Sequence, residues 1–212
     1  MKKLVALTMA LVLTLAFGYV TMASTIGIGA NEGLTVEVAK QVDPSEDGMW
    51  LNGYYGVNNQ LQLSLGYHTE TKDKELGARY AFAENMAVTL NHTLADAEGA
   101  SDTTVLGFRY KKELSDALAM VGVLSYSDAD EMTEMGIQGQ AEYKFANNVV
   151  GNLGFQYGSP DIEGLEVDSY TNIVAGIEVS PIENVSAYLD YTMVDEDVAD
   201  DDTIDLGVSY SF

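Results

Sequence analysis

The sequence has no cysteine, three prolines and few basic residues in its 212 positions, and these shortages exclude several classes of protein. Without cysteine there is no disulfide framework, no thiolate-bound metal and no lipid-modified N-terminal cysteine. Ten Lys and Arg residues stand against 33 Asp and Glu residues, which gives a formal net charge of -23. Because binding to polyphosphate needs a basic face, we expect no nucleic-acid partner.

A long apolar run is also missing from all but the start of the chain. Lysines at positions 2 and 3 precede an apolar stretch over 4–16, and small residues follow at 23 and 24. This layout is typical of a secretory signal peptide, which we predict over residues 1–23, with 24–212 as the mature chain. The alternative is an uncleaved membrane anchor, although the apolar stretch is short for a spanning helix.

The chain contains regular alternation instead. From residue 34 onward, stretches of eight to eleven residues alternate apolar and polar side chains, which indicates strands with two unlike faces. We predict about twelve strands. Ten is the alternative, because lysines at 40 and 111–112 intrude at the ends of two stretches. The predicted strands are 34–42, 49–57, 61–68, 75–82, 86–94, 103–111, 117–126, 135–145, 149–157, 169–179, 185–193 and 203–212.

The connections between these stretches alternate between short and long. Short ones such as "NNQ" at 58–60 and "ANN" at 146–148 exchange with longer ones such as 95–102 and 158–168. Every hairpin is therefore tight at one end of the molecule and open at the other. A soluble β-sandwich with Greek-key crossovers has no reason to keep this order.

Acidic residues concentrate on the longer connections. Counted with Glu75, these connections hold 23 of the 33 carboxylates, so we expect an acidic rim at one end, which favours cations. Clustered carboxylates also suit Ca²⁺ or Mg²⁺, but the order of acidic residues at 195–202 is not that of a calcium-binding loop, so we predict no metal site and no cofactor. The densest part of the rim is Asp195, Glu196, Asp197, Asp200, Asp201 and Asp202.

Aromatic residues in the apolar phase fall at two heights. One group precedes the longer loops and the other precedes short turns or the C-terminus, with aliphatic residues and glycine between them. Two aromatic belts around an apolar band are expected where the outer face of a barrel meets lipid between two interfaces. The first belt is Tyr67, Tyr126, Tyr157 and Tyr191, and the second is Phe82, Tyr110, Phe145 and Phe212.

These features together predict an all-β fold, a closed antiparallel up-and-down transmembrane β-barrel. Closure removes the two exposed edges of a meander, and it requires the first and last strands to pair. Alternation by itself does not say which face points inward. The leader, the belts and the loop pattern favour polar side chains inside and apolar ones outside, whereas a secreted sandwich or soluble barrel is the alternative.

Segments such as "AEYKFANNVVGNLGFQYGS" and "GIEVSPIENVSAYLDYTMV" resemble the periplasmic hairpins of bacterial outer-membrane β-barrel proteins of the porin type. The closing "GVSYSF" resembles the C-terminal signal that these proteins present to the outer-membrane assembly machinery, here carried by Leu206, Val208, Tyr210 and Phe212. The resemblance implies a location in the bacterial outer membrane, with lipid and that machinery as partners. In size the chain resembles small monomeric porins such as the twelve-stranded oligogalacturonate-channel family, without a substrate motif to carry over.

A barrel of about twelve strands is intermediate between filled small barrels and wide channels. Inward glycines such as Gly176 and Gly207 leave room, so we expect passive diffusion of small polar solutes or ions, with cations favoured. The alternative is a plugged lumen, in which charged residues pair with one another and the barrel serves a structural or surface-binding role. The charged residues predicted to line the constriction are Arg79, Arg109, Glu142, Lys144 and Glu178.

The sequence offers little for catalysis. Its two histidines, His68 and His92, lie at predicted strand ends, where histidine is commonly an interfacial residue. A lipid-facing His paired with Ser and Asn would suit a phospholipase-like triad, but no serine stands two residues from either histidine. We predict that the protein is not an enzyme.

Overall fold

The computed structural model describes residues 33–44, 48–96, 100–130, 132–162, 164–165, 167–195 and 201–212. The predicted signal peptide lies outside these residues. No helix in the described ranges is long and apolar enough to cross a membrane. The strands are β1 Gly33–Asp43, β2 Trp50–Gly56, β3 Leu61–His68, β4 Lys74–Ala83, β5 Met86–Leu94, β6 Thr103–Glu113, β7 Leu118–Ala129, β8 Met132–Ala146, β9 Val149–Ile162, β10 Tyr170–Ile182, β11 Val185–Met193 and β12 Thr203–Ser211.

The twelve strands form one closed antiparallel barrel in which each strand pairs with its neighbours in the chain and β12 pairs with β1. The closing ladder places Thr35 opposite Ser211, whose hydroxyls are 2.9 Å apart. At its periplasmic end the backbone N–H of Phe212 donates to the carbonyl of Leu34 at 2.8 Å. The predicted strand number, pairing order and closure are confirmed.

The two faces of the strands differ as the alternation predicts. Leu65 is 58% exposed and Met135 is 67% exposed on the outer surface, whereas Arg109 is 8% exposed inside. A surface of exposed Leu, Ile, Val and aromatic side chains is unfavourable in water and favourable in lipid. The polar phase therefore points inward and the apolar phase outward, and the soluble alternatives are excluded.

Both aromatic belts lie on the outer face. Two members of the second belt, which lies at the predicted periplasmic end and is called the periplasmic belt below, contact tyrosines two residues away. The ring centroids of Tyr210 and Phe212 are 4.7 Å apart, and those of Tyr143 and Phe145 are 4.9 Å apart. Both pairs are edge-to-face, the arrangement that aromatic quadrupoles prefer. The belts mark the upper and lower limits of the apolar band.

The hairpin between β7 and β8 differs from its prediction. We expected a long connection over 127–134, but the strands continue to Ala129 and Met132. The polar side chains of Ser127 and Glu134 still point into the barrel. The ladder can therefore extend without placing polar side chains on the apolar outer face. The strand β9 also runs beyond its predicted end, to Ile162. In these and two other strands, β1 and β4, several carboxylates that we counted with the loops belong to strands. They are Asp43, Glu75, Asp128, Glu134 and Asp161.

Gly33 offers a test of the barrel closure. Its φ is 110°, and a Cβ there would lie 2.9 Å from the carbonyl oxygen of Phe212. We expect Gly33→Ala to lower the free energy of unfolding by about 1–3 kcal/mol, since an L-residue is strained at this φ. Heat-modifiable migration in gels measures the shift. Gly53→Ala is the control, because the nearest atom to its Cβ is 3.9 Å away, and an equal loss in both variants would contradict the expectation.

Candidate functional site

One wall of the lumen carries four carboxylates. They come from four consecutive strands of the ring and all belong to the inward phase. Asp190 and Asp205 are direct partners across the β11–β12 ladder. Asp190 interacts electrostatically with the other three groups of the wall. The members of this acidic wall are Glu37 on β1, Glu178 on β10, Asp190 on β11 and Asp205 on β12.

The opposite wall carries two arginines, together with Glu75, which also lies on β4 within electrostatic range of Tyr54. Arg79 lies on β4 and Arg109 on β6, and the two guanidinium groups interact electrostatically with each other. In the closed ring of twelve, β4 is six strands from β10, and β6 is six strands from β12. The arginines of this basic wall therefore face the acidic wall across the full width of the lumen.

A tyrosine lies between the two walls. Tyr54 on β2 donates a long hydrogen bond of 3.5 Å to Glu37 Oε1, which also accepts from Asn52 Nδ2 at 2.9 Å. The same tyrosine interacts electrostatically with both arginines. Tyr188 on β11, beside the acidic wall, interacts with it from the other side. Tyr54 thus joins the walls and narrows the lumen at their level.

Neither tyrosine is among the residues that we predicted from the sequence to line the constriction. Tyr54 stands two residues from Asn52, and Tyr188 stands two residues from Asp190, so both share the phase of known polar positions. Aromatic residues in a barrel are usually assigned to the lipid belts. Their position in the period-two alternation of the strand indicates that they face the lumen. For these two residues that position is a better guide than the residue type.

The five predicted constriction residues are distributed over the lumen rather than gathered at one point. Arg109 is buried and Arg79 is partly exposed at the basic wall, and Glu178 belongs to the acidic wall. Glu142 forms an ion pair of 2.8 Å with Lys111, a residue that we regarded as an interruption of β6. Lys144 is exposed near the periplasmic end of β8.

The Lys111–Glu142 pair should stabilise the barrel. Glu142 is almost fully buried and Lys111 is one-fifth exposed. Removing one partner of a buried pair costs roughly 3–5 kcal/mol, and the exposure of Lys111 reduces that figure, so we expect Lys111→Met to lower stability by about 1–3 kcal/mol. Thermal unfolding in detergent measures it. The double variant Lys111→Met, Glu142→Gln should recover much of the loss, and a double variant as unstable as the single one would contradict this account.

The exposure of inward side chains varies around the lumen. Many inward side chains on β7, β8 and β9 are almost fully covered. At the two walls, Glu37, Arg109 and Asp190 are covered as well, but Tyr54, Arg79, Glu178, Tyr188 and Asp205 keep intermediate exposure. The partly exposed charged side chains therefore lie at the acidic and basic walls. The covered side chains of β7, β8 and β9 include Val121, Val123, Gln138, Gln140 and Gln156.

The inward glycines do not simply leave empty space, as we had expected. A Cβ on Gly176 would overlap Asp190 Oδ1 and lie 2.7 Å from Asn152 Nδ2. A Cβ on Gly207 would overlap the ring of Tyr188. These glycines let neighbouring lumen side chains lie flat against the wall, which keeps the side chains out of the centre.

At the extracellular end, two acidic side chains next to the connection between β11 and β12 accept hydrogen bonds from neighbouring residues. Asp195 Oδ2 accepts from the backbone N–H of Thr171 at 2.8 Å. Asp202 accepts from the N–H of Val194 at 3.1 Å and from the hydroxyl of Tyr191. Asp201 is exposed. The other predicted rim residues, Glu196, Asp197 and Asp200, lie outside the described residues.

Both histidines have structural contacts. His68 faces inward, and its Nδ1 accepts from the backbone N–H of Thr71 at 3.2 Å. The Thr71 hydroxyl donates to Asp73 at 2.6 Å, so its proton is directed away from the imidazole. His92 lies on the outer face, with Nδ1 2.9 Å from the hydroxyl oxygen of Thr104.

A closed antiparallel barrel with an apolar belted exterior and a polar interior defines the class of this protein as an outer-membrane β-barrel of the porin type. Solved structures support this fold. The chain is similar to the KdgM porin, with a TM-score of 0.62 and 14% identity over 85% of this chain and 99% of that one. It is similar to the NanC porin, with a TM-score of 0.64 and 12% identity over 84% and 100%.

A third neighbour is an outer-membrane channel from Pseudomonas putida F1, with a TM-score of 0.62 and 14% identity over 90% of this chain and all of that one. These neighbours are channels, not enzymes. Neither a protein-family model nor a curated protein sequence matches the chain. The predicted porin-type class and outer-membrane barrel are confirmed at the level of fold, and no particular family is assigned.

Proposed function

We propose that the protein is a channel of the bacterial outer membrane for passive diffusion of small polar solutes or ions, with a preference for cations. The observation that carries the proposal is the partly exposed, charged passage between the acidic and basic walls, which includes Arg79, Glu178 and Asp205. A polar, hydrated interior is what separates a channel from a filled barrel.

Reconstitution into planar bilayers tests the channel function. The purified folded protein should give discrete conductance steps in KCl. Under a salt gradient the reversal potential should shift toward the potassium potential, because carboxylates outnumber guanidinium groups at the level of the walls. A folded preparation that gives no conductance would contradict the proposal.

The acidic loops support the cation preference from outside the lumen. Exposed carboxylates such as Asp201 raise the local cation concentration within roughly 8 Å at physiological salt. Their contribution should weaken as salt rises, whereas that of the buried lumen groups should persist. Measuring selectivity at low and high KCl separates the two.

A structural barrel with a plugged lumen is the second candidate. It is favoured by the dense packing on β7 to β9, where Val121, Gln138 and Gln140 are almost fully covered. The double variant Arg79→Ala, Arg109→Ala distinguishes the candidates. A channel should change its conductance or selectivity, whereas a plugged barrel should lose stability or begin to leak.

The outer face and the last strand support two further partners. We propose that the apolar band binds outer-membrane lipid and that the outward residues Leu206, Val208, Tyr210 and Phe212 present the signal for the assembly machinery. All four side chains are exposed on the outer face.

A further inference from the structure

Charges of opposite sign concentrate on different parts of the wall around the passage. Four carboxylates lie on β10, β11, β12 and β1, whereas the two arginines lie on β4 and β6, across the ring from β10 and β12. Glu75 also lies on β4, within electrostatic range of Tyr54. A solute in the passage therefore meets mainly negative charge on one flank and the arginines on the other. We propose that the channel favours small zwitterions, solutes with an ammonium and a carboxylate on one short skeleton, over anions of the same size. This inference rests on the channel function proposed above.

The balance of charge disfavours anions. Lys111 and Glu142 are paired with each other, so the four carboxylates of the acidic wall, together with Glu75 on β4, outnumber the two arginines. An anion gains from the arginines and is repelled by a larger number of carboxylates.

A zwitterion meets no such conflict. Its ammonium group can face Glu178 or Asp205 while its carboxylate faces Arg79, and all three side chains are partly exposed to the passage. Opposite charges separated within one solute align with the transverse field of the walls. An uncharged polyol of the same size lacks both interactions, so it should pass more slowly than the zwitterion.

The tyrosines keep this recognition weak enough for transport. Conduction requires sites that a solute enters readily and also leaves. The Tyr54 side chain lies between the walls, and that of Tyr188 lies beside the acidic wall. A phenol hydroxyl can both donate and accept a hydrogen bond, so either tyrosine can contact either end of a passing solute. A flat aromatic ring at the narrowest level also limits the size of the solute.

Swelling of proteoliposomes tests the proposal with glutamine as the zwitterion, glutamate as the anion, lysine as the cation and xylitol as the uncharged polyol. We expect glutamine to enter about threefold faster than xylitol, and glutamate to enter more slowly than xylitol. The double variant Asp190→Asn, Asp205→Asn should raise the glutamate rate about threefold and reduce the advantage of glutamine.

Two further variants complete the design. Arg79→Gln, Arg109→Gln should also reduce the advantage of glutamine, but it should raise the rate of lysine instead of glutamate. Lys112→Gln is the matched control, because Lys112 neighbours Lys111 in sequence and is exposed in the outward phase of β6. It should leave all four rates unchanged. Heat-modifiable migration confirms that each variant is folded.

The outcomes separate this inference from the channel function. Equal rates for glutamine, xylitol and glutamate, or rate ratios unchanged in both double variants, would overturn the selectivity while the channel stands. Absence of swelling with every solute, together with absence of KCl conductance, would overturn the channel and the selectivity with it.

Discussion

We expect removal of Phe212 to eliminate most of the protein from the outer membrane. The stability of the barrel that does assemble should fall only slightly. The Phe212 side chain is 72% exposed on the outer face. Its ring contacts that of Tyr210, and its backbone N–H makes one hydrogen bond to Leu34. Loss of one ring contact and one terminal hydrogen bond amounts to about 1–2 kcal/mol, which a twelve-stranded ladder tolerates.

The large effect should therefore be on recognition during assembly. Heat-modifiable, protease-protected protein in outer-membrane fractions measures the cellular level, and refolding of the purified chain into lipid measures the intrinsic stability. Phe82→Ala is the matched control, since Phe82 belongs to the same periplasmic belt but lies within the chain. Normal outer-membrane levels of a chain ending at Ser211 would contradict the signal role.

Replacement of Tyr54 by alanine is expected to raise the single-channel conductance about twofold or more, since pore diameter at the narrowest level controls the current. Tyr54 lies between the acidic and basic walls, in contact with Glu37 and within electrostatic range of Arg79. Its ring is the bulkiest group at that level for which the structure gives contacts to both walls. Loss of the ring also removes a donor to Glu37, so a modest fall in thermal stability should accompany the change.

The neighbouring residue gives a close control. Tyr55 is 54% exposed on the outer face, so Tyr55→Ala removes the same ring from the lipid side. Conductance should rise in the Tyr54 variant and stay at the level of the unmodified protein in the Tyr55 variant. Unchanged conductance in both would show that the narrowest point lies elsewhere.

Much of the fold is predictable from the sequence, because the alternation of residues within a single strand distinguishes its two faces. The alternation of Leu61, Leu63 and Leu65 with polar residues identifies one strand without reference to any other. The lengths of the strands were predicted least accurately. The inward phase of β7 and β8 continues through Ser127 and Glu134, and polar residues on an inward face look like loop residues when the partner strand is unknown.

The charge pairing was less predictable. Lys111 looked like the end of a strand, and only the β6–β7–β8 ladder brings its ammonium to Glu142. Tyr54 was not singled out from the sequence, although it shares the phase of Asn52, and its relation to the two walls is visible only in the assembled barrel. These relationships depend on register across strands that are distant in sequence.

The sequence by itself determined the approximate number of strands, the two unlike faces of each strand, the two groups of aromatic residues and the sign of the charge on the loops. All of these follow from patterns within ten residues or so, because side chains alternate with period two along a strand. Only the tertiary structure decided which inward side chains face one another. Closing the ring places β10 to β12 opposite β4 to β6. That closure turns scattered charges into an acidic wall and a basic wall, since position around a barrel depends on strand order rather than on local sequence.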